Sequence, residues 1–264
     1  MIGVDRWADH SRMSDPAKHA GCAAALPSDV SALNRVVQGL LIHPDWLNAY
    51  DVDAARVRAN SRKTLPVADR LADILEDDPR PLHVPRLPRR RSAGTCRDFS
   101  LMMCSFLRVK GVPSRIRCGF ASYLGDGWED HWVCEFWDGA AQTWRLSDPQ
   151  IDEVLRAALR IEFDPASVPR QSFLTAGEAW MECRAGRSDP RRFGHGEATG
   201  FWFLEVNVVR DHYALNGRET SAWDEWRTAP SASRVLKDRD IALLDCLAAK
   251  PEMALTEVRP DWLE

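Results

Sequence analysis

The chain has 264 residues, 45% of them apolar and 28% charged, with a formal net charge of −4 and a pI near 6.0. That balance is ordinary for a globular protein, and its weak negative charge gives no footprint for nucleic acid or for an anionic membrane surface. No stretch reaches membrane-spanning length, and Asp5, Arg6, Asp9, His10 and Arg12 interrupt the start where a signal peptide carries its apolar centre, so a cytoplasmic protein without a membrane partner is expected.

Up to residue 91 the pattern is helical and then loop-like. Ser28 is expected to cap a helix in which Val30, Leu33, Val36, Val37, Leu40 and Leu41 recur at helical spacing. A second helix is expected over 67–76, with Leu71, Ile74 and Leu75 on its apolar side and Pro79 beyond its end. Residues 79–91 then hold four prolines and five arginines. This is a loop, and its basic cluster from Arg86 to Arg91 reads as solvated surface.

From Ser92 the character changes. Phe99, Met102, Met103, Phe106 and Leu107 form one apolar helical stripe, stopped by Gly111 and Pro113. Three strand-like runs follow, over 114–124, 131–137 and 142–146. In the first, Ile116, Cys118 and Phe120 alternate with Arg115 and Arg117, and the last leads into Asp148-Pro149. Gly125, Gly127 and Asp138-Gly139 supply the turns. A helix followed by an antiparallel meander is an α+β arrangement. Beyond residue 152 helix is expected again. Thr175 and Glu178 form a capping box, and residues 201–215 show helical spacing at an apolar density that keeps a strand open. The expected organisation is a single domain: a helical segment and loop over 1–91, core motifs over 92–152, and a mainly helical segment over 153–264.

Seven cysteines occur, an odd number with no C-x-x-C pair, so neither a disulfide framework nor a structural zinc site is expected, and no metal or cofactor. Most should be small buried hydrophobes. Cys96 differs, because it stands where the middle helix begins, after Ser92-Ala93-Gly94-Thr95, and a helix N-terminus favours a thiolate. His131 is the expected base; alternation puts it with Val133 and Glu135 on one strand face, opposite Trp132, Cys134 and Phe136. Asp148, at the end of the next strand, is the expected acceptor that orients the imidazole.

Trp128 and Trp132, which cluster with Trp137 and Trp144 along the sequence, are candidate substrate-binding aromatics, with packing inside the sheet as the commoner role of such residues. His83, in the preceding loop, joins them as a substrate-site residue and, with Gln38, Trp46, Asn60 or a loop arginine, as a source of a second oxyanion donor. Asp98 is expected to be structural, charging the first helical turn or pairing with Arg97 or Arg115. His195, Asp211 and His212 are expected on an exposed loop or helix face. Glu135 and Glu205 lack the carboxylate pairing of a glycosidase, and no phosphate-binding glycine loop is present.

Gly94-Thr95-Cys96-Arg97-Asp98-Phe99, the run Gly-Val-Pro-Ser-Arg over 111–115, Gly119-Phe120, His131-Trp132-Val133, and Trp144 through Asp148-Pro149 together resemble the transglutaminase-like superfamily. The spacing suits it too: His131 lies 35 residues after Cys96, and Asp148 lies 17 after His131. The resemblance spans roughly residues 92–152. It implies a papain-like core, in which a helix carrying the cysteine packs on an antiparallel sheet, and it implies catalytic roles for Cys96, His131 and Asp148. It further implies a cysteine thioester and acyl transfer from an amide or ester to water or to an amine. The expected partners are therefore a peptide, protein or small-molecule substrate and, where transfer replaces hydrolysis, an amine acceptor. Members often complete the oxyanion hole with an upstream Trp or Gln, and none occurs between Asn48 and Thr95. Two other readings stand beside the enzyme: a non-catalytic peptide- or protein-binding module of the same fold, and a redox-sensing protein using Cys96 with Cys104 or Cys118.

Overall fold

A computed structural model describes residues 3–56, 66–219 and 237–253. In chain order these residues form α1 (Ala20–Ala24), α2 (Val30–Leu40), β1 (Leu41–Ile42), α3 (Val67–Asp77), β2 (Ser92–Ala93), α4 (Cys96–Val109), β3 (Ser114–Ala121), β4 (Trp128–Asp138) and β5 (Thr143–Ser147). They continue with α5 (Glu153–Leu159), β6 (Phe173–Thr175), α6 (Ala176–Arg184), β7 (Phe193–His195), β8 (Ala198–Thr199), α7 (Phe201–Leu215) and α8 (Asp238–Ala249). The class is α+β. The chain divides into two compact units, one of residues 1–116 and 133–169, the other of residues 117–132 and 170–264.

In the first unit the central element is α4. Every residue from Arg97 to Arg108 is buried, where the sequence pattern points to a single apolar stripe. The reason is that α1, α2 and α3 all pack on this helix, so Ser100, Leu101, Cys104 and Ser105 beside the stripe are enclosed as well. Asp29, not Ser28, caps α2, accepting the Ala32 N–H at 2.8 Å. β1 and β2 pair in parallel, Leu41 opposite Ser92 and Ile42 opposite Ala93. Ile42, Leu47, Val52 and Ala93 form a small apolar cluster there, with Tyr50 packed on it. β5 runs antiparallel to residues 134–138 of β4. Arg86 departs from the solvated loop expected of the basic cluster. It is buried and donates to the carbonyls of Asp78, Arg80, Pro81 and Val84, which fixes the proline-rich turn, while Arg89 and Arg90 stay exposed.

In the second unit α6, α7 and α8 pack on one another around Phe120, Trp180, Phe193, Leu204, Val209 and Leu244. Residues 201–215 are a helix, which decides between the helix and strand readings. The Thr175 capping box is present in full: Glu178 Oε2 accepts the Thr175 N–H at 2.8 Å, and Thr175 Oγ1 accepts the Glu178 N–H at 3.3 Å. β6 pairs antiparallel with β3, and β7 runs parallel to β4 and forms a hairpin with β8 through Gly196, whose φ is +56°. These three strands interrupt the mainly helical segment expected here, and at two or three residues each they are too short for alternation to show.

All eight residues of β3 are buried, so its arginines do not form the solvent face that alternation suggests. In the first unit Arg115 pairs with Glu135 at 2.7 Å, and in the second Arg117 pairs with Asp211 at 2.8 Å. Among the described residues no helix is long and apolar enough to cross a membrane.

Candidate active site

Cys96 is the first residue of α4, half-buried, with a free thiol. Its N–H belongs to the first helical turn, where no carbonyl of the helix can be reached and the positive end of the helix lies. The residues just before it are held one backbone group at a time. The Ala93 carbonyl accepts from Arg70 at 2.8 Å, the Gly94 N–H donates to the Ile42 carbonyl at 3.0 Å, and the Thr95 N–H donates to the Asp98 carboxylate at 2.8 Å. Gly94 is needed here, because a Cβ would stand 2.9 Å from the Asp98 Cβ.

Asp98 has the structural role expected, with Arg97 at 3.0 Å as one partner; its other partner is Arg70 at 3.2 Å, while Arg115 is committed to Glu135. Burial pushes the Asp98 carboxyl up, but Arg70, Arg97 and the Thr95 N–H outweigh it and hold the group below its ordinary value. Cys104 lies eight residues further along α4, about 12 Å at the helical rise, so an intact helix keeps it from resolving an oxidised Cys96. Its sulfur instead lies 3.2 Å from that of Cys134, whose thiol is pushed well up by burial and by this neighbour.

Asp148 follows β5 in the same unit and is fully buried. Its carboxylate accepts the Gln150 N–H at 3.0 Å, and its own N–H donates to the Pro165 carbonyl at 2.7 Å. Helix α2 braces the stretch on both sides. Ser147 Oγ donates to Asn34 Oδ1 at 3.0 Å, and Gln38 Nε2 donates to the Ile151 carbonyl at 2.9 Å. Gln38 thus uses an amide N–H for structure. Asp152 then accepts from the Tyr50 hydroxyl at 2.8 Å and pairs with Arg91 at 3.5 Å. Because Arg91 immediately precedes β2, this pair joins the approach to Cys96 to the turn after Asp148. Burial, then the Asp152 carboxylate, keep the Tyr50 hydroxyl protonated far above its ordinary range. Trp46 is half-buried in the turn after β1, His83 is exposed in the turn between α3 and β2, and Asn60 lies outside the described residues.

His131 belongs to the second unit, on β4, and is buried. The Tyr123 ring meets its imidazole edge-on at 6.0 Å between centroids. Trp132 is completely enclosed, with the Arg210 guanidinium 5.4 Å from its ring centre. Trp128 is half-buried and stacks on Phe193 at 5.8 Å. Of the two expected substrate aromatics, then, only Trp128 keeps exposed surface. Asp211 and His212 are not on an exposed helix face. Asp211 accepts from Arg117 and from the Cys118 N–H, His212 Nδ1 donates to the Pro251 carbonyl at 2.9 Å, and burial lowers the His212 pKa. His195 is exposed, as expected, and pairs with Glu129.

Sequence reasoning missed Arg70, Tyr123 and the Arg91–Asp152 pair. Tyr123 carried a weak signal as an aromatic in the β3–β4 hairpin. Arg70 lies three residues after Val67 and four before Ile74, at the border of the buried side of α3, where a lone arginine looks solvated until its partner is in view.

Residues 56–149 match the family model of the transglutaminase-like superfamily. The matched stretch holds Cys96, His131 and Asp148, together with Arg70 and Asp98. No curated protein and no solved structure matches the chain.

Proposed function

From a chain that carries a transglutaminase-like core over residues 56–149, we propose a thiol-dependent acyl-transfer enzyme acting on amide or ester carbonyls through a thioester on Cys96. The observation that carries this reading is the setting of Cys96: first in a buried helix, partly exposed itself, and preceded by a loop whose backbone is bound at residues 93, 94 and 95. A thiol so placed lies at the positive end of the helix, beside N–H groups that no carbonyl of the helix reaches.

In this mechanism His131 takes the thiol proton as sulfur attacks the carbonyl carbon. The oxyanion formed in passing is met by the Cys96 N–H. His131 then returns the proton to the departing amine or alcohol as the bond to it breaks, leaving the thioester. Asp148 holds the imidazole and balances its charge. Water, with His131 as base, hydrolyses the thioester to an acid and the free thiol; a primary amine in its place gives a new amide. Trp128, through its exposed surface, is the proposed aromatic contact for the acyl group.

A panel of activated esters and amides, read by intact mass and by turnover, tests the reading. An acyl adduct on Cys96 is expected, with Cys96→Ala lowering turnover by about a thousandfold or more. Added primary amine should divert product from acid to amide in proportion to its acceptance. A purified, folded Cys96→Ala protein that turns substrate over at the wild-type rate would remove Cys96 from the mechanism.

A further inference from the structure

We propose that Arg70 is the residue that positions Cys96 for attack, a role that rests on the acyl-transfer reading above. Arg70 lies on α3, distant in sequence from the nucleophile, and its side chain is almost fully buried. One guanidinium makes three contacts around the loop that leads into α4. It donates to the Ala93 carbonyl at 2.8 Å and to Ser92 Oγ at 3.2 Å, and it pairs with Asp98 at 3.2 Å. Asp98 in turn accepts the Thr95 N–H at 2.8 Å. The fork therefore ties the residues before the thiol to the first turn of the helix after it. A lysine has one charged tip and cannot hold a carbonyl, a hydroxyl and a carboxylate in a fixed plane.

Asp98 itself is a poor target for a test. Its removal leaves Arg70 and Arg97 buried together without their shared carboxylate, which endangers the fold. Removing Arg70 is cleaner, because Asp98 keeps Arg97 at 3.0 Å. What is lost is the hold on Ala93 and Ser92, and with it the geometry that keeps Cys96 at the end of the helix.

The experiment compares wild type, Arg70→Met and Arg70→Lys by brief iodoacetamide labelling at fixed pH, with peptide mapping of all cysteines. Exposed Cys22 and Cys246 serve as references within each molecule, and buried Cys104, Cys118 and Cys134 report unfolding. In folded Arg70→Met, Cys96 labelling should slow by about tenfold against the references, the scale of a helix-end charge effect. Arg70→Lys should recover part of that loss. On a substrate found with the panel above, kcat should fall by about a hundredfold with KM little changed, as expected when a reacting group is displaced. If Arg70→Met exposes the buried cysteines, Arg70→Lys becomes the deciding variant, and a Cys96 rate equal to wild type in it overturns the proposal. Wild-type labelling of Cys96 in a folded Arg70→Met protein overturns it too, and leaves the enzyme reading intact. If wild-type Cys96 labels no faster than Cys22 and Cys246, the nucleophile assignment falls, and the positioning role with it.

Discussion

Glu135 has no solvent-exposed surface, and its carboxylate stands 2.7 Å from the Arg115 guanidinium, which also lies 4.1 Å from the ring centre of Trp144 and 5.0 Å from that of Trp7. Taking both charges out of water costs several kcal/mol each, and only their mutual attraction and surrounding contacts offset it. Glu135→Ala, which strands the cation, should therefore cost about 3–5 kcal/mol. Replacing both partners, Arg115→Met with Glu135→Leu, should come close to neutral. Denaturant midpoints measure each; a single variant within about 0.5 kcal/mol of wild type would mean that the cation finds water or another partner. Exposed pairs such as Arg191 with Asp189 contribute little by comparison, because solvent screens them.

Between elements, a close approach is made at Gly119, where β3 meets β6. A Cβ there would fall 2.1 Å from the Leu174 carbonyl oxygen and 2.9 Å from the Thr175 Cα, so an alanine must push the two strands apart. Gly119→Ala should cost about 1–3 kcal/mol or more, read as a lowered Tm. Gly125→Ala, with nothing within 4 Å, should leave Tm unchanged. Equal melting of the two variants would rule out tight β3–β6 contact. These packing facts also show which elements the sequence could announce. The bounds of α3 and α7, the Thr175 cap and the strands around β4 were legible, because each is long enough to display a period or carries a capping pair. Helix α4 was legible as a helix starting near Cys96, yet its burial on every side depends on partners from elsewhere in the chain. The cap of α2 fell between two neighbouring capping residue types, and only geometry chooses Asp29 over Ser28. At the candidate site, Cys96 stood out through Gly94-Thr95 before an apolar stripe. Arg70, Asp211 and His212 did not, because a buried charge and a solvated one look alike until the partner is in view.

Over the described residues as a whole, titratable groups shifted by burial or by their partners set a pH window for stability. Burial lowers His10 and His212 below the ordinary 6.5. The unfolded chain therefore binds those protons more tightly, and the stability carried by the neutral rings is complete above about pH 6.5 and lost as pH falls through their folded values. A second loss follows below the ordinary carboxyl value of 3.8, where Asp98, Asp138 and Asp189, all depressed in the fold, take up protons. On the alkaline side, burial, then Asp189 and Glu182, push Cys183 from 9.0 up to about 11, so its contribution is full below 9.0 and fades as pH rises toward 11. Tm measured across pH should show a plateau between about 6.5 and 9, a shallow acid step and then a steeper one. A Tm that stays flat from pH 7 to pH 5 would sink the histidine contribution. The β1–β2 pair has a different kind of consequence, in time. It joins Leu41 to Ser92, 51 residues apart, so the strand leading into Cys96 gains its partner only after a long loop has closed. Helices α2 and α4 need only local contacts and form sooner. In a chain caught partway through folding, the loop before Cys96 therefore lacks its native backbone partner, and the candidate site takes shape only once distant parts of the polypeptide have found each other.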